Sequence, residues 1–599
     1  MKQFFKFMFA SMFGVILSFI VAALIFSSII GSIISSAQSE KQPTVFDNSI
    51  LHIQLENAIQ DQPSNNPFEN IDFSTFENKT PLSLKNILDN ISKAKNDDKI
   101  KGIYMDVPYL QANMASIQEI RNALLDFKES GKFIVSYAEN FGQGEYYLSS
   151  VADEVYLNPA GEMTFKGLGA QLMFFKDALS RLEIEMQVIR HGKFKSAIEP
   201  FIREDMSEAN KEQMNSLIYS IWNDMSENIS KSRNIEVAKL NEIANNLLIR
   251  TAKDAVSLGF VDAVKYEDEI LEILKEKVGV ESEEKLKFIG INKYKKVKNL
   301  TELTDSETPS EYYKSKNKIA VIYAEGEIVS GDSKDGQMGS NTIVKAIKKA
   351  RKDDKIKAIV LRVNSPGGSA LASDVMWREV VLAKEVKPVV VSMGGVAASG
   401  GYYISCAANK IFAEESTITG SIGVFGLIPN VEGMLKSKIG IDIDRVGTND
   451  YADGLTILRP MKNKEREAIQ EMIEDVYGDF TQKVADGRGM TQAEVDSVGQ
   501  GRVWSGISAL KIGLVDEIGG LNAAIAEAVS LADIKDYKVT ELPEQEDPFE
   551  KLIKDLTNEV RINIFGTEFG MAEKYYSNLK NVLNSKGIYT RLPVDIIIE

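Results

Sequence analysis

Two glycine-rich loops hold the residues of this chain best suited to covalent chemistry. Gly394-Gly395-Val396-Ala397-Ala398-Ser399-Gly400-Gly401 follows the β-like run Val389-Val390-Val391, and Asn364-Ser365-Pro366-Gly367-Gly368-Ser369 follows Ile359-Val360-Leu361. A serine in a turn flanked by small residues can present its Oγ, and the glycines let a substrate backbone approach closely. A helix starting near Gly400 would aim its first N–H groups and positive dipole end at a developing oxyanion, with Gly368 N–H as a second donor. The chemistry so described is attack by Ser399 on a carbonyl carbon. Taken singly, each loop reads equally well as a tight turn.

A serine nucleophile needs a base, and imidazole is scarce here. The only histidines are His52 and His191. His52 lies in the alternating, strand-like run Ser49-Ile50-Leu51-His52-Ile53-Gln54-Leu55, and His191 precedes Gly192 in a turn-like stretch. If Ser399 works, something other than imidazole activates it. With Cys406 as the single cysteine, the usual zinc ligand sets and an intrachain disulfide are excluded, and no metal or cofactor is expected.

The elements that must position these loops come in two copies. Asp97-Asp98-Lys99-Ile100-Lys101 recurs as Asp353-Asp354-Lys355-Ile356-Lys357, at an offset of 353 − 97 = 256, and Tyr146-Tyr147 recurs as Tyr402-Tyr403 at the same offset. Gly259-Phe260-Val261-Asp262 similarly matches Gly513-Leu514-Val515-Asp516. Each copy alternates apolar strand, helix, strand, glycine turn and helix, as Ala358 to Val363, Ala370 to Ala383 and Pro388 to Met393 show, which is an α/β pattern. The duplication separates a turn from a site. At 399 − 256 = 143 the first copy has Gln143, and Asn364 to Gly368 is matched by Pro108-Tyr109-Leu110-Gln111-Ala112. Turns needed only for folding would occur in both copies, so loops confined to one of them point to a site.

The whole chain bounds the remaining possibilities. Its 86 acidic residues outnumber the 70 basic ones for a net charge of −16, leaving no basic excess with which to bind nucleic acid. Lys2 and Lys6 precede an uncharged, mostly apolar stretch from Phe7 to Ser39, long enough at about 1.5 Å per residue to cross a bilayer core of about 30 Å. It predicts one transmembrane helix with the lysines inside and everything after Glu40 on the far side. Ser35-Ser36-Ala37 offers a small-residue cleavage site, but the apolar run exceeds the roughly 7–15 residues of a signal-peptide core, which favours a retained anchor. The expected division is 1–39, cytoplasmic lysines and anchor; 48–292, N-terminal repeat; 293–317, charged linker; 318–536, C-terminal repeat; and 537–599, an acidic, then weakly amphipathic tail. Residues 60–81, with several Asn and Pro, read as a flexible loop or lid.

Arg362-Val363-Asn364-Ser365-Pro366-Gly367-Gly368-Ser369, Ser392 to Tyr403 and Thr419-Gly420-Ser421-Ile422-Gly423-Val424 closely resemble the long, protease IV form of the bacterial signal peptide peptidases. The first half matches that family at Gly192-Lys193-Phe194-Lys195-Ser196-Ala197-Ile198-Glu199-Pro200-Phe201, and the likeness runs from the anchor to about Asp536. It implies tandem crotonase-like, Clp-protease-like ββα-spiral domains and a serine/lysine dyad, with the nucleophile at Ser399 and the base at Lys195. The oxyanion hole then falls to Gly368 and Gly400. Spacing alone does not choose between Lys193 and Lys195; the family motif does, because Lys195 immediately precedes Ser-Ala-Ile-Glu-Pro-Phe. The resemblance also implies cleaved signal peptides and other extended peptides as substrates, a homotetramer, and an inner-membrane location with the bulk of the chain on the periplasmic side.

Lysine acts as a base only when neutral, so its pKa of about 10.4 must be lowered by burial. Ser421 reads either as the hydroxyl that orients the amine or as a structural one, and Glu199 and Arg203 as an ion pair or surface charges. A dyad divided between copies explains why the first copy persists without a nucleophile. Two other readings stand beside the peptidase: a crotonase-like acyl-CoA enzyme, since that fold also stabilises oxyanions with backbone N–H pairs, and a non-catalytic membrane scaffold.

Overall fold

The computed structural model describes residues 43–63, 80–281, 285–297, 315–334, 336–545 and 588–591, with the short pieces 3–4, 6–18, 21, 71–72 and 77–78. Most of the predicted anchor and of the predicted loop at 60–81 lies outside the described residues. Residues 6–18 are helical with exposed side chains, and no helix among the described residues is long and apolar enough to cross a membrane.

In the first half, β1 (Ser49–Gln54), α1 (Leu84–Asn96), β2 (Ile100–Asp106), α2 (Met114–Lys128), β3 (Phe133–Ala138), α3 (Gln143–Ser149) and β4 (Glu154–Leu157) alternate along the chain. Strand β5 (Glu185–His191) then leaves this layer, the long helix α4 (Glu208–Arg233) follows, and β6 (Ala263–Val264) and β7 (Lys287–Gly290) return to it. The sheet runs β6-β4-β3-β2-β1-β7 with every pairing parallel. A parallel sheet covered on both faces has nearly continuous apolar strands, and Ile50, Leu51, Ile53, Ile134 and Val135 are accordingly buried.

The second half repeats the plan. It contains β8 (Lys318–Glu325), β9 (Glu327–Val329), β10 (Gln337–Gly339), α5 (Ser340–Lys352), β11 (Ile356–Ser365), β12 (Gly367–Ser369), α6 (Ala370–Lys384) and β13 (Val389–Ala398). After these come α7 (Gly400–Ser405), β14 (Lys410–Ala413), β15 (Ile418–Gly420), β16 (Val424–Asn430), α8 (Asn463–Arg488), β17 (Val503–Ser505), β18 (Glu517–Ile518), β19 (Lys538–Leu542) and β20 (Ile588–Arg591). The main sheet is ordered β17-β15-β13-β11-β8-β19, with β14 paired to β13 and β18 to β14. The residues shared by the two copies pin this scaffold. Tyr146 Oη donates to Phe260 O at 3.0 Å and Tyr402 Oη to Leu514 O at 2.8 Å; Asp262 accepts from Val155 N and Asp516 from Ile411 N, both at 2.7 Å. The architecture is α/β and duplicated, as expected.

A third sheet, β10-β9-β12-β20-β16-β5, belongs to both halves. Strand β5 of the first half pairs antiparallel with β16 of the second, from Glu185↔Asn430 to His191↔Val424. Two boundaries change from the sequence reading. Tyr294, expected in the linker, is buried and donates to Asp97 Oδ2 at 2.9 Å, so the chain leaves the first half later than 293; residues 298–314 lie outside the described residues. Of the expected tail, Lys538–Leu542 forms β19, parallel to β8, and Ile588–Arg591 forms β20, paired with β12 and β16; residues 546–587 and 592–599 lie outside the described residues. The tail's charged composition hid two short strands that only long-range pairing makes.

The halves are also joined by a buried charge cluster. Arg362, on β11 and fully buried, donates to Asp61 Oδ1 at 2.9 Å, Glu119 Oε1 at 2.6 Å and Ser392 Oγ at 2.8 Å. Both carboxylates come from the first half. Buried ions of this kind are tolerable only while paired. Arg362→Met, which leaves Asp61 and Glu119 buried without their cation, is expected to cost about 3–5 kcal/mol of unfolding free energy, read from the shift in urea midpoint at unchanged slope.

Candidate active site

Ser399 stands between β13 and α7 with φ 55° and ψ −112°, a conformation that costs an L-residue about 1–3 kcal/mol and persists only where its surroundings enforce it. They do so here: Ser399 N donates to Gly420 O and Tyr403 N to Ser399 O, both at 2.8 Å. A side chain at Gly401 would put its Cβ 2.8 Å from Ser365 O, so the two glycine-rich loops pack at a distance only glycine allows. In the first half the residue capping α3, Gly142, has φ −71°, and Gln143 spends its Oε1 accepting from Lys166 N and Gly167 N. The fold makes this strand-to-helix turn without strain, so the strain at Ser399 is not a demand of the scaffold.

Lys195 reaches Ser399 from the other half. Strand β5 ends at His191, Gly192 turns the chain at φ +107°, and Lys195 follows. Its Nζ lies 2.9 Å from Ser399 Oγ, 3.1 Å from Ser421 Oγ and 3.2 Å from Ser421 O. Both Lys195 and Ser399 are fully buried. Burial pushes the Lys195 amine well below its ordinary value of 10.5, because a charged ammonium there would lose its hydration, and Lys195 makes no ion pair among the described residues. Lys193 is exposed, its ammonium over the Phe194 ring. Of the two lysines in the motif, it is Lys195 that touches the serine.

Ser421, with φ 52°, is held by its own N–H to Arg502 O at 2.7 Å and presents both its hydroxyl and its carbonyl to the amine. Gly368 lies in β12, where a Cβ would fall 2.1 Å from Ile328 O, and Gly400 is the first residue of α7. Strand β20 runs antiparallel to β12 at Gly368↔Thr590 and antiparallel to β16 at Phe425↔Tyr589. The histidines are elsewhere. His191, the last residue of a strand rather than part of a turn, stacks on Tyr477 at 3.8 Å and bonds Glu474 at 2.6 Å, and His52 stacks on Tyr104 at 5.0 Å.

The reading of Glu199 changes. It does not pair with Arg203, which bonds Asp205 at the surface; Glu199 is buried and accepts from Ser207 N, Ser207 Oγ and Asn210 Nδ2 at 3.0, 2.5 and 3.0 Å, tying the lysine loop to the start of α4. Sequence reasoning passed over Gln213 and the segment Gln500 to Val503, which also grip that loop. Gln213 reaches the loop across 17 and 19 residues and is itself met by Val503 across 290, and no local pattern marks them.

The family model described as peptidase family S49 matches residues 126–281 and 382–535, one match in each half, and the Clp protease model matches 310–418. Protease 4 of Haemophilus influenzae is 38% identical, over 76% of this chain and 73% of its own. Protease 4 of Salmonella typhi is 37% identical over 80% and 77%, and the chloroplastic serine protease SPPA of Arabidopsis thaliana is 36% identical over 81% and 71%. A solved ClpP1 mutant from Listeria monocytogenes overlays with a TM-score of 0.23 at 17% identity, over 34% of this chain and 94% of that one.

Proposed function

The chain belongs to peptidase family S49 and is a serine peptidase, and from that premise we propose that Ser399 is its nucleophile and Lys195 its base, in a dyad divided between the two halves. The observation that carries this is the 2.9 Å separation of a buried, desolvated amine from the Oγ of a strained serine. A neutral amine has one lone pair and two N–H bonds. The lone pair accepts the Ser399 hydroxyl proton while the N–H bonds donate to Ser421 O and Oγ, which gives Ser421 the orienting role. Ser399 Oγ attacks the scissile carbonyl, the Gly368 and Gly400 N–H groups hold the oxyanion, and the ammonium of Lys195 returns its proton to the leaving amine. Water then repeats the sequence on the acyl-enzyme, again through Lys195.

What supports extended peptides as substrates is that a strand, β20, lies beside the site, antiparallel to both β12 and β16; a peptide taking such a position would bind by main-chain pairing, with little regard to sequence. Cleaved signal peptides, extended and apolar, are the proposed substrates, with residues 7–39 as membrane anchor, the catalytic halves on the periplasmic side of the inner membrane, and a homotetramer as the working assembly.

The test is covalent. A fluorophosphonate should add to the peptide containing Ser399, identified by mass spectrometry, and add nothing there in Ser399→Ala. CoA-thioester turnover that survives Ser399→Ala would favour the acyl-CoA reading instead, and wild-type protein that neither labels nor cleaves would favour the scaffold.

A further inference from the structure

The loop that carries Lys195 belongs to no sheet: β5 ends at His191 and the next helical turn begins at Ser196. What keeps its amine on Ser399 must therefore come from outside the loop. The side chain placed to do this is Gln213 on α4, which is fully buried. Its Nε2 donates to Phe194 O at 3.1 Å and to Ser196 Oγ at 2.8 Å, one partner on either side of Lys195, and also lies 3.1 Å from Asn210 Oδ1. Its Oε1 accepts from Val503 N at 3.3 Å.

Val503 connects that amide to the other half of the dyad. It pairs with Gly420 in β15, and Gly420 O receives the Ser399 N–H. Of the residues just before Val503, Gln500 O accepts from Phe194 N at 2.8 Å and a Cβ at Gly501 would sit 2.6 Å from Lys195 Cβ, both on the lysine loop, while Arg502 O accepts from Ser421 N at 2.7 Å on the serine side. A path thus runs from the base's loop through the Gln213–Val503 hydrogen bond, across the Val503–Gly420 strand pair, and through the Gly420–Ser399 hydrogen bond to the nucleophile. We infer that Gln213 is a positioning residue for the base: its carboxamide, donor at one end and acceptor at the other, fastens the lysine loop of the first half to the serine scaffold of the second. This rests on the dyad proposed above. Charged and titratable groups near the loop are Arg190, whose guanidinium donates to Lys195 O at 3.3 Å, the Arg502–Glu212 pair at 2.9 Å, the His191–Glu474 pair at 2.6 Å, Lys193, and Glu199, which is bonded to Ser207 and Asn210; none of them is bonded to the amine.

An amide is required because both kinds of partner are buried. Leucine has nearly the same volume but can serve neither, and the freed loop lets the amine move away from Ser399 and meet water. The experiment is the pH dependence of peptide hydrolysis by the full chain, comparing wild type, Gln213→Leu, Ser196→Ala and Lys195→Ala, with thermal midpoints recorded for each. For Gln213→Leu the expected result is a kcat lower by about 10²-fold, the cost of a misplacement on the order of 1 Å, with KM within about twofold. Its activity should also rise at higher pH than in wild type, because a less desolvated amine titrates closer to its ordinary value. Ser196→Ala, which removes one partner only, should move kcat and the pH limb in the same direction by less. A Gln213→Leu protein that is folded yet keeps the wild-type limb and kcat overturns the inference; if that variant does not fold, an unmoved limb in Ser196→Ala overturns it. Activity retained in Lys195→Ala would instead sink the dyad itself, so the two failures are distinguishable.

Discussion

Ser399→Ala and Lys195→Ala should each lower kcat on peptide substrates by on the order of 10⁴-fold, and the double variant should be no slower than the worse single one. Removing Ser399 removes the atom that forms the acyl-enzyme. Removing Lys195 leaves the serine hydroxyl without an amine or imidazole base among the described residues, since neither histidine lies at the site. Groups that act as one unit are grossly non-additive, so the second loss has almost nothing left to take. Additive losses would mean that the two residues act independently. Lys195→Arg should be as inactive as Lys195→Ala, because a guanidinium keeps its proton at any working pH.

Lys195→Met should abolish turnover and at the same time remove a pH dependence from stability, so that its thermal midpoint relative to wild type is more favourable at neutral pH than near pH 10.5. The sign follows from linkage. The Lys195 amine has a folded-state pKa well below 10.5, so between that lower value and 10.5 the unfolded chain holds a proton that the folded protein does not. Wild-type stability therefore rises with pH through this window and is lost as pH falls toward the folded value. Methionine fills the same space with no proton to exclude. Its loss of the contacts to Ser399 Oγ, Ser421 Oγ and Ser421 O costs about 1 kcal/mol each, at every pH alike. The midpoint of Lys195→Met relative to wild type should thus be most favourable toward neutral pH and fall as pH approaches 10.5; a difference independent of pH would show that the wild-type amine is not desolvated.

Much of this site was legible in the sequence, for identifiable reasons. Ser399 stood out because the duplication supplies an internal control: the scaffold tyrosines recur while Gln143 occupies the matching position. Lys195 was legible only through its motif's resemblance to a family, since Lys193, two residues away, carries the same chemistry and the difference between them is burial. Glu199 looked like a surface charge for the same reason, because a carboxylate's hydrogen-bond partners on a helix eight to eleven residues further on leave no local mark. The Arg362 cluster, spanning 301 and 243 residues to Asp61 and Glu119, and the Gln213–Val503 bond, spanning 290, arise only when the halves dock. Strand β20 was hidden by its short length and by a polar, unpatterned tail, for which pairing with β12 and β16 is the sole signature.

The central claim is that a neutral lysine from the first half activates a serine of the second. Its most direct test is the pH profile of kcat/KM for the full chain on a peptide whose own groups do not titrate between pH 5 and 11. The account predicts a single ascending limb at a midpoint well below the 10.5 of an ordinary lysine, absent from Lys195→Ala, with activity rising as the amine loses its proton. A limb at the ordinary lysine value, or one that persists unchanged in Lys195→Ala, would contradict it.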